Sequence, residues 1–156
     1  MGRGVDLASK VWVIPARRIK GGREHRVPLT DPTLQILKSL PHEEGNRFVF
    51  IGPRAAGLSI TAMAALLKRM GRRDITVHGF RSTFRDWAAE RTNYPNHVVE
   101  MALAHVIGDK VEAAYRRGDL FDKRGRLMAE WAKYCSMIVP AAGAGVVPMR
   151  AVGLDR

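Results

Sequence analysis

The chain has 156 residues, 46% of them hydrophobic, which is enough for one domain with a packed core and too few for two of ordinary size. Its 26 Lys and Arg against 15 Asp and Glu leave a formal charge of +11, a balance that points to nucleic acid or an anionic membrane surface as partner. No apolar run is long enough to span a bilayer, since the tract at 137–148 is broken by Pro140, Gly143, Gly145 and Pro148, and no signal peptide opens the sequence. Cys135 is the only cysteine, which excludes an internal disulfide and favours a reducing interior. A metal site has no support, because there is no CxxC or HExxH word and the five histidines are scattered.

In chain order, Val11-Trp12-Val13-Ile14-Pro15 reads as a strand and Glu24-His25-Arg26-Val27-Pro28-Leu29 as a second. Between them a basic segment turns at Gly21-Gly22, a hairpin signal, with Lys20 at the tip among arginines. A solvated charged loop guarding a sheet edge is the other reading of that tip. Thr30-Asp31-Pro32 starts a helix with Leu34, Leu37 and Leu40 as its apolar stripe. Phe48-Val49-Phe50-Ile51 reads as a short buried strand. Ser59 is placed to cap a helix whose Ile60, Met63, Ala64, Leu67 and Met70 share a face, and Gly71 to stop it. Lys68, Arg69, Arg72 and Arg73 cluster there, where cations also complement the helix dipole.

A helix follows over 78–92. His78 and Arg81, three apart, share one face and can reach the same small anion, while Phe80, Phe84 and Trp87 are expected to bury the opposite face. A solvated or capped helix end is the alternative account of the polar pair. Asn96 is expected to cap a shorter helix ending near Ala104-His105. Asp109 with Glu112 resembles a capping box for a helix containing Tyr115. The longest helix runs from Leu120 to about Ile138. Leu127, Trp131, Tyr134, Cys135 and Ile138 make its seam, against a charged face of Lys123, Arg124, Arg126 and Lys133. Residues 139–156 lack periodicity and read as a disordered tail.

The words Arg18-Ile19-Lys20, Glu24-His25-Arg26-Val27-Pro28-Leu29, His78-Gly79-Phe80-Arg81, Leu103-Ala104-His105 and Ala113-Ala114-Tyr115-Arg116-Arg117-Gly118-Asp119-Leu120, with Met128 to Cys135, occur in one order. That order resembles the catalytic domain of the tyrosine recombinases, the phage-integrase superfamily, over about Val5 to Cys135. The resemblance implies an α+β, mainly α-helical fold, a small antiparallel sheet with a lysine hairpin packed on a helical bundle, occupying 1–138. It implies a DNA strand transferase in which Tyr115 attacks a phosphodiester and a 3′-phosphotyrosine conserves the bond energy, so that neither ATP nor a metal cofactor is needed. By residue matching, Arg81 and His105 would bind the non-bridging oxygens, His78 would handle a proton near the nucleophile, and Lys20 would protonate the leaving 5′-oxygen. Arginine suits its task because a planar, permanently charged fork grips two oxygens. Tyrosine, with an unperturbed pKa of about 10, needs help to lose its proton. Arg18 or Arg23 can be mistaken for Lys20, and Tyr115 and His105 have ordinary packing and helix-end readings.

The family's site has a second arginine, in a Gly-x-Arg word on a helix before the first strand. Here Met1-Gly2-Arg3-Gly4 stands directly before Val5-Asp6-Leu7, and Arg3 is too close to match. The resemblance therefore implies an N-terminally truncated member, lacking that arginine and the core-binding domain, with impaired activity and uncovered apolar surface. The expected partners are double-stranded DNA of attachment-site type and integrase protomers, its own or full-length, with no membrane. The expected location is the bacterial cytoplasm, at the nucleoid. Arg17, Arg18, Arg23, Arg72, Arg73, Arg85 and Arg116 are the candidates for DNA contact. The competing functions are a DNA-binding remnant without catalysis that occupies integrase sites, and a basic interaction protein docking through the seam at 127–138.

Overall fold

Three short strands form an antiparallel sheet in the order β1-β2-β3, with β1 at Val5–Asp6, β2 at Val11–Ile14 and β3 at His25–Pro28. The computed structural model describes residues 4–19, 22–53, 56–105 and 118–137. Register pairs Val5 with Trp12, Val11 with Pro28 and Ile14 with His25. Pro28 is tolerated because β3 is an edge strand and needs no donor on its outer side. The link from β2 to β3 opens with a 3-10 turn, Ala16–Arg18, and turns at Gly22, whose φ of +63° suits glycine.

Five helices follow among the described residues: α1 at Asp31–Ser39, α2 at Ala62–Arg69, α3 at Gly79–Arg91, α4 at Asn96–Ala102 and α5 at Phe121–Cys135. The mainly helical α+β architecture expected from the sequence is what the chain adopts. Thr30 precedes α1 with Pro32 in its first turn, and α2 stops where Gly71 takes φ +73° while the Arg72 amide returns to the Leu67 carbonyl at 2.9 Å. No helix among the described residues is long and apolar enough to cross a membrane.

The core lies where α3, α4 and α5 meet. Phe84, Trp87 and Ala88 come from α3, Val98 and Val99 from α4, and Leu127 from α5, with Trp131 and Tyr94 packed against them. Phe84 meets Trp131 edge-on at 5.4 Å, and Trp87 lies 5.0 Å from the same ring. Each fully buried aliphatic side chain here contributes roughly 1.5–3 kcal/mol. α5 also packs on β3, joining the sheet to the bundle.

Several expectations require correction. Phe48 to Ile51 is not a buried strand: Ile51 makes a single bridge to Gly57, and Phe50 is exposed. The run instead enters a tight turn, closed by the Gly52 amide on the Ala56 carbonyl at 2.6 Å, with no neighbouring strand among the described residues to pair against. The Phe48 ring lies so close to Gly57 that a Cβ there would sit 2.7 Å from it. Helix α2 begins at Ala62 after Thr61 rather than being capped by Ser59, whose hydroxyl meets that of Thr61 at 3.2 Å. Its apolar stripe faces solvent, with only Leu67 buried and Ile60, Met63 and Met70 exposed. Phe80 is exposed too, so the aromatic keel of α3 is Phe84 and Trp87 alone. Asn96 is the first residue of α4 and Pro95 takes the capping position. Arg124 is not on a solvated face: it is 1% exposed. The helix expected around Tyr115 and the tail expected at 139–156 lie outside the described residues.

Candidate functional site

Helix α3 has two faces of opposite character. Phe84, Trp87 and Ala88 fix it in the core, which turns Arg81 and Arg85, one helical turn apart, outward. The end of α4 lies across from them. There the Leu103 amide closes on the Val99 carbonyl and the His105 amide on the Glu100 carbonyl at 2.9 Å, with Ala104 between them at φ +55°. This left-handed residue reverses the chain and delivers His105 to α3.

Arg81 Nη2 donates to the Leu103 carbonyl at 2.7 Å and to His105 Nε2 at 2.8 Å. A guanidinium can only donate, so Nε2 accepts and the ring proton sits on Nδ1. Nδ1 donates to Glu100 Oε2 at 2.6 Å, and Glu100 Oε1 accepts from Arg85 Nε at 2.7 Å. The hydrogen bond from Arg85 holds the Glu100 carboxyl below its usual range, with His105 adding to it and burial opposing. Arg81, His105, Glu100 and Arg85 thus form one unbroken chain. His105 and Arg85 keep 44% and 53% of their side-chain surface exposed, so an incoming anion can reach the row.

His78 stands immediately before α3, exposed and one turn from Arg81. It holds the N-cap position, but its side chain makes no capping hydrogen bond; Thr76 Oγ1 accepts from the Gly79 amide at 3.0 Å. Arg17, Arg18 and Arg23 are exposed around the hairpin, and Arg73 is exposed beyond α2. Arg72 is held by both oxygens of Asp74, at 2.9 and 2.8 Å, and that hydrogen bonding lowers the Asp74 pKa to about 2. Lys20, Tyr115 and Arg116 lie outside the described residues. An open apolar groove lined by Ile60, Met63, Leu67 and Val77 has Arg72 and Arg73 beside it, but none of His78, Arg81 or His105.

Two groups of residues escaped the sequence reading. Glu100 is one; its only signal is that it is the sole acidic residue of α4. The other is a cluster joining the hairpin to α5. Arg26 donates to both oxygens of Asp119 at 2.8 Å, and Arg124 donates to Asp119 Oδ2 at 3.0 Å, to the Asp119 carbonyl at 2.7 Å and to the Arg26 carbonyl at 2.6 Å. The bond from Arg26 lowers the Asp119 pKa, while burial lowers that of Arg124. The cluster spans 93 to 98 residues of sequence, so no local pattern announces it.

The sequence model of the phage integrase family matches residues 2–119, about three quarters of the chain. The chain belongs to the phage integrase family. This integrase-family chain is 38% identical over 148 residues to the prophage integrase IntA of Escherichia coli (strain K12), a match covering 92% of this chain and 34% of that protein. It is 31% identical over 137 residues to the integrase of Shigella phage Sf6, covering 85% and 35%, and equally to the prophage integrase IntS of Escherichia coli (strain K12). The chain therefore spans about a third of the length of the relatives it matches. No solved structure matches it.

Proposed function

We propose that this chain handles a DNA phosphodiester in site-specific recombination, with Tyr115 as the nucleophile and Arg81 and His105 as donors to the non-bridging oxygens. The observation that carries the reading is the 2.8 Å approach of Arg81 Nη2 to His105 Nε2. It brings an arginine fork from α3 and an imidazole from the turn after α4 to one solvent-open point, a combination suited to a phosphate group. Tyr115 Oη attacks phosphorus, the bond to the 5′-oxygen breaks, and Lys20 gives that oxygen its proton while His78 assists loss of the tyrosine proton. A second 5′-hydroxyl reverses the step on a new partner. Nothing in this exchange calls for ATP or a metal. When phosphate oxygens take over the hydrogen bonds of Arg81, an imidazolium at His105 donates to them through Nε2 while Nδ1 stays on the Glu100 carboxylate.

A polypeptide restricted to these 156 residues carries no match to the family's first catalytic arginine. Missing one positioned donor lowers the rate by on the order of 10²–10³. Double-stranded DNA and other integrase protomers are the partners of this reading, and the nucleoid of a bacterial cytoplasm its setting. The exposed arginines of the hairpin, with the charge of +11, support a second reading, DNA binding without catalysis.

Incubation with nicked duplex carrying a candidate attachment site separates the two. The first reading expects a covalent protein–DNA band under denaturing conditions that Tyr115→Phe abolishes and Arg81→Ala reduces at least a hundredfold. Salt-sensitive retention without the band leaves the second reading, and no retention at low salt sinks both.

A further inference from the structure

Glu100 is assigned no DNA contact of its own, yet its two oxygens hold two residues that are assigned one, His105 and Arg85. Oε2 accepts from His105 Nδ1 and Oε1 accepts from Arg85 Nε. Its side chain is 19% exposed, so water competes poorly for either oxygen. We infer that Glu100 is a positioning residue: its carboxylate keeps the His105 proton on Nδ1 and so leaves Nε2 to accept from Arg81, which fixes the imidazole where the incoming anion meets it.

The inference depends on hydrogen-bond polarity more than on charge. Both neighbours of Glu100 present an N–H, so the residue between them must offer two acceptors. Glutamine has the same shape and one acceptor. If its oxygen stays with Arg85, its NH₂ faces Nδ1 and draws the ring proton to Nε2, where it opposes the Arg81 donor. If the oxygen turns to His105, the NH₂ opposes Arg85 instead. A carboxylate is the neutral-pH side chain of this length that satisfies both, and the order donor, acceptor, donor, acceptor from Arg81 to Glu100 follows from it. Arg85 acts here as a brace, since its hold on Oε1 leaves Oε2 aimed at the imidazole.

The purpose assigned to Nε2 rests on the phosphodiester reading, but the tautomer is measured on DNA-free protein, so the two fail separately. Nitrogen chemical shifts of His105 in ¹⁵N-histidine-labelled protein report which nitrogen carries the proton. Wild type is expected to show the Nδ1–H form, and Glu100→Gln to lose it as the main species. Arg85→Leu alone should keep the wild-type form. The double variant Arg85→Leu/Glu100→Gln should regain it, because the amide oxygen is then free for Nδ1. The Val98 and Val99 methyl signals check that α4 is intact in each. An Nε2–H ring in wild type, an unchanged tautomer in Glu100→Gln, or no recovery in the double variant would each overturn the inference; the wild-type measurement decides even if a variant does not fold. Loss of the Tyr115-dependent band with an intact Nδ1–H ring would instead count against the phosphodiester reading alone.

Discussion

Asp119 is the residue on which the hairpin and the last helix both depend. It faces the buried guanidinium of Arg124 and the bidentate fork of Arg26, so Asp119→Asn leaves a positive charge poorly compensated in the interior. The expected cost is about 2–3 kcal/mol, below that of a fully enclosed pair because the Asp119 side chain is 37% exposed, and urea denaturation reads it. The acid dependence follows from the direction of the shift. Hydrogen bonding to Arg26 depresses the folded-state pKa of Asp119, so its contribution is complete above the unfolded carboxylate value of about 3.9 and is lost as pH falls through the depressed one. Urea midpoints taken from neutral pH down into that acid window should fall less steeply in Asp119→Asn than in wild type. Ala104 offers the opposite case. Its left-handed backbone costs about 1–2 kcal/mol for an L side chain, whereas a glycine would give back part of that through greater freedom in the unfolded chain. Ala104→Gly should therefore stabilise the protein by about 0.5–1 kcal/mol, seen as a higher urea midpoint, with the His105 turn retained.

At the scale of elements, α2 is attached to the rest by very little. Leu67 is its one buried side chain, and Ile60, just before it, is fully exposed. Leu67→Ala should cost roughly 2 kcal/mol or more by removing that anchor, while Ile60→Ala should stay within about 0.5 kcal/mol; parallel urea titrations compare them. The stripe itself was plain in the sequence, but periodicity states only which residues share a face, not whether anything covers it. Phe80 failed for the same reason, while Phe84 and Trp87 succeeded because Trp131 lies opposite them. Local signals fared better where they act locally: Gly71 stops its helix through its own backbone, and Pro32 sits in the first turn of α1. Phe48 to Ile51 has strand composition, yet a strand needs a partner, and composition cannot supply one.

Across the whole molecule, the sequence motifs led correctly to the integrase family and to the helical α+β fold, and the structure then brought Arg81 and His105 together. What the motifs could not convey was the chemistry between them. Glu100 looks like any acidic helix residue until the His105 turn folds back on it, and Arg124 looks like surface charge until Asp119 and the Arg26 carbonyl enclose it. Both depend on contacts outside their own helical turn, which no short word encodes.

The tie between β3 and α5 also bears on the order in which the molecule assembles. Bringing Asp119 to Arg26 closes a loop of 93 residues, an entropic cost of about 4 kcal/mol before any constant, and the Arg124 bonds that complete the cluster need α5 in place as well. Such a contact belongs on the native side of the folding barrier. Asp119→Asn should accordingly leave the refolding limb of a chevron plot nearly unchanged and speed unfolding instead, whereas Leu127→Ala, in the helical core, should slow refolding as well. The sheet and the helical bundle would then be joined last and separated first, and the stability of that junction sets how long the native molecule persists.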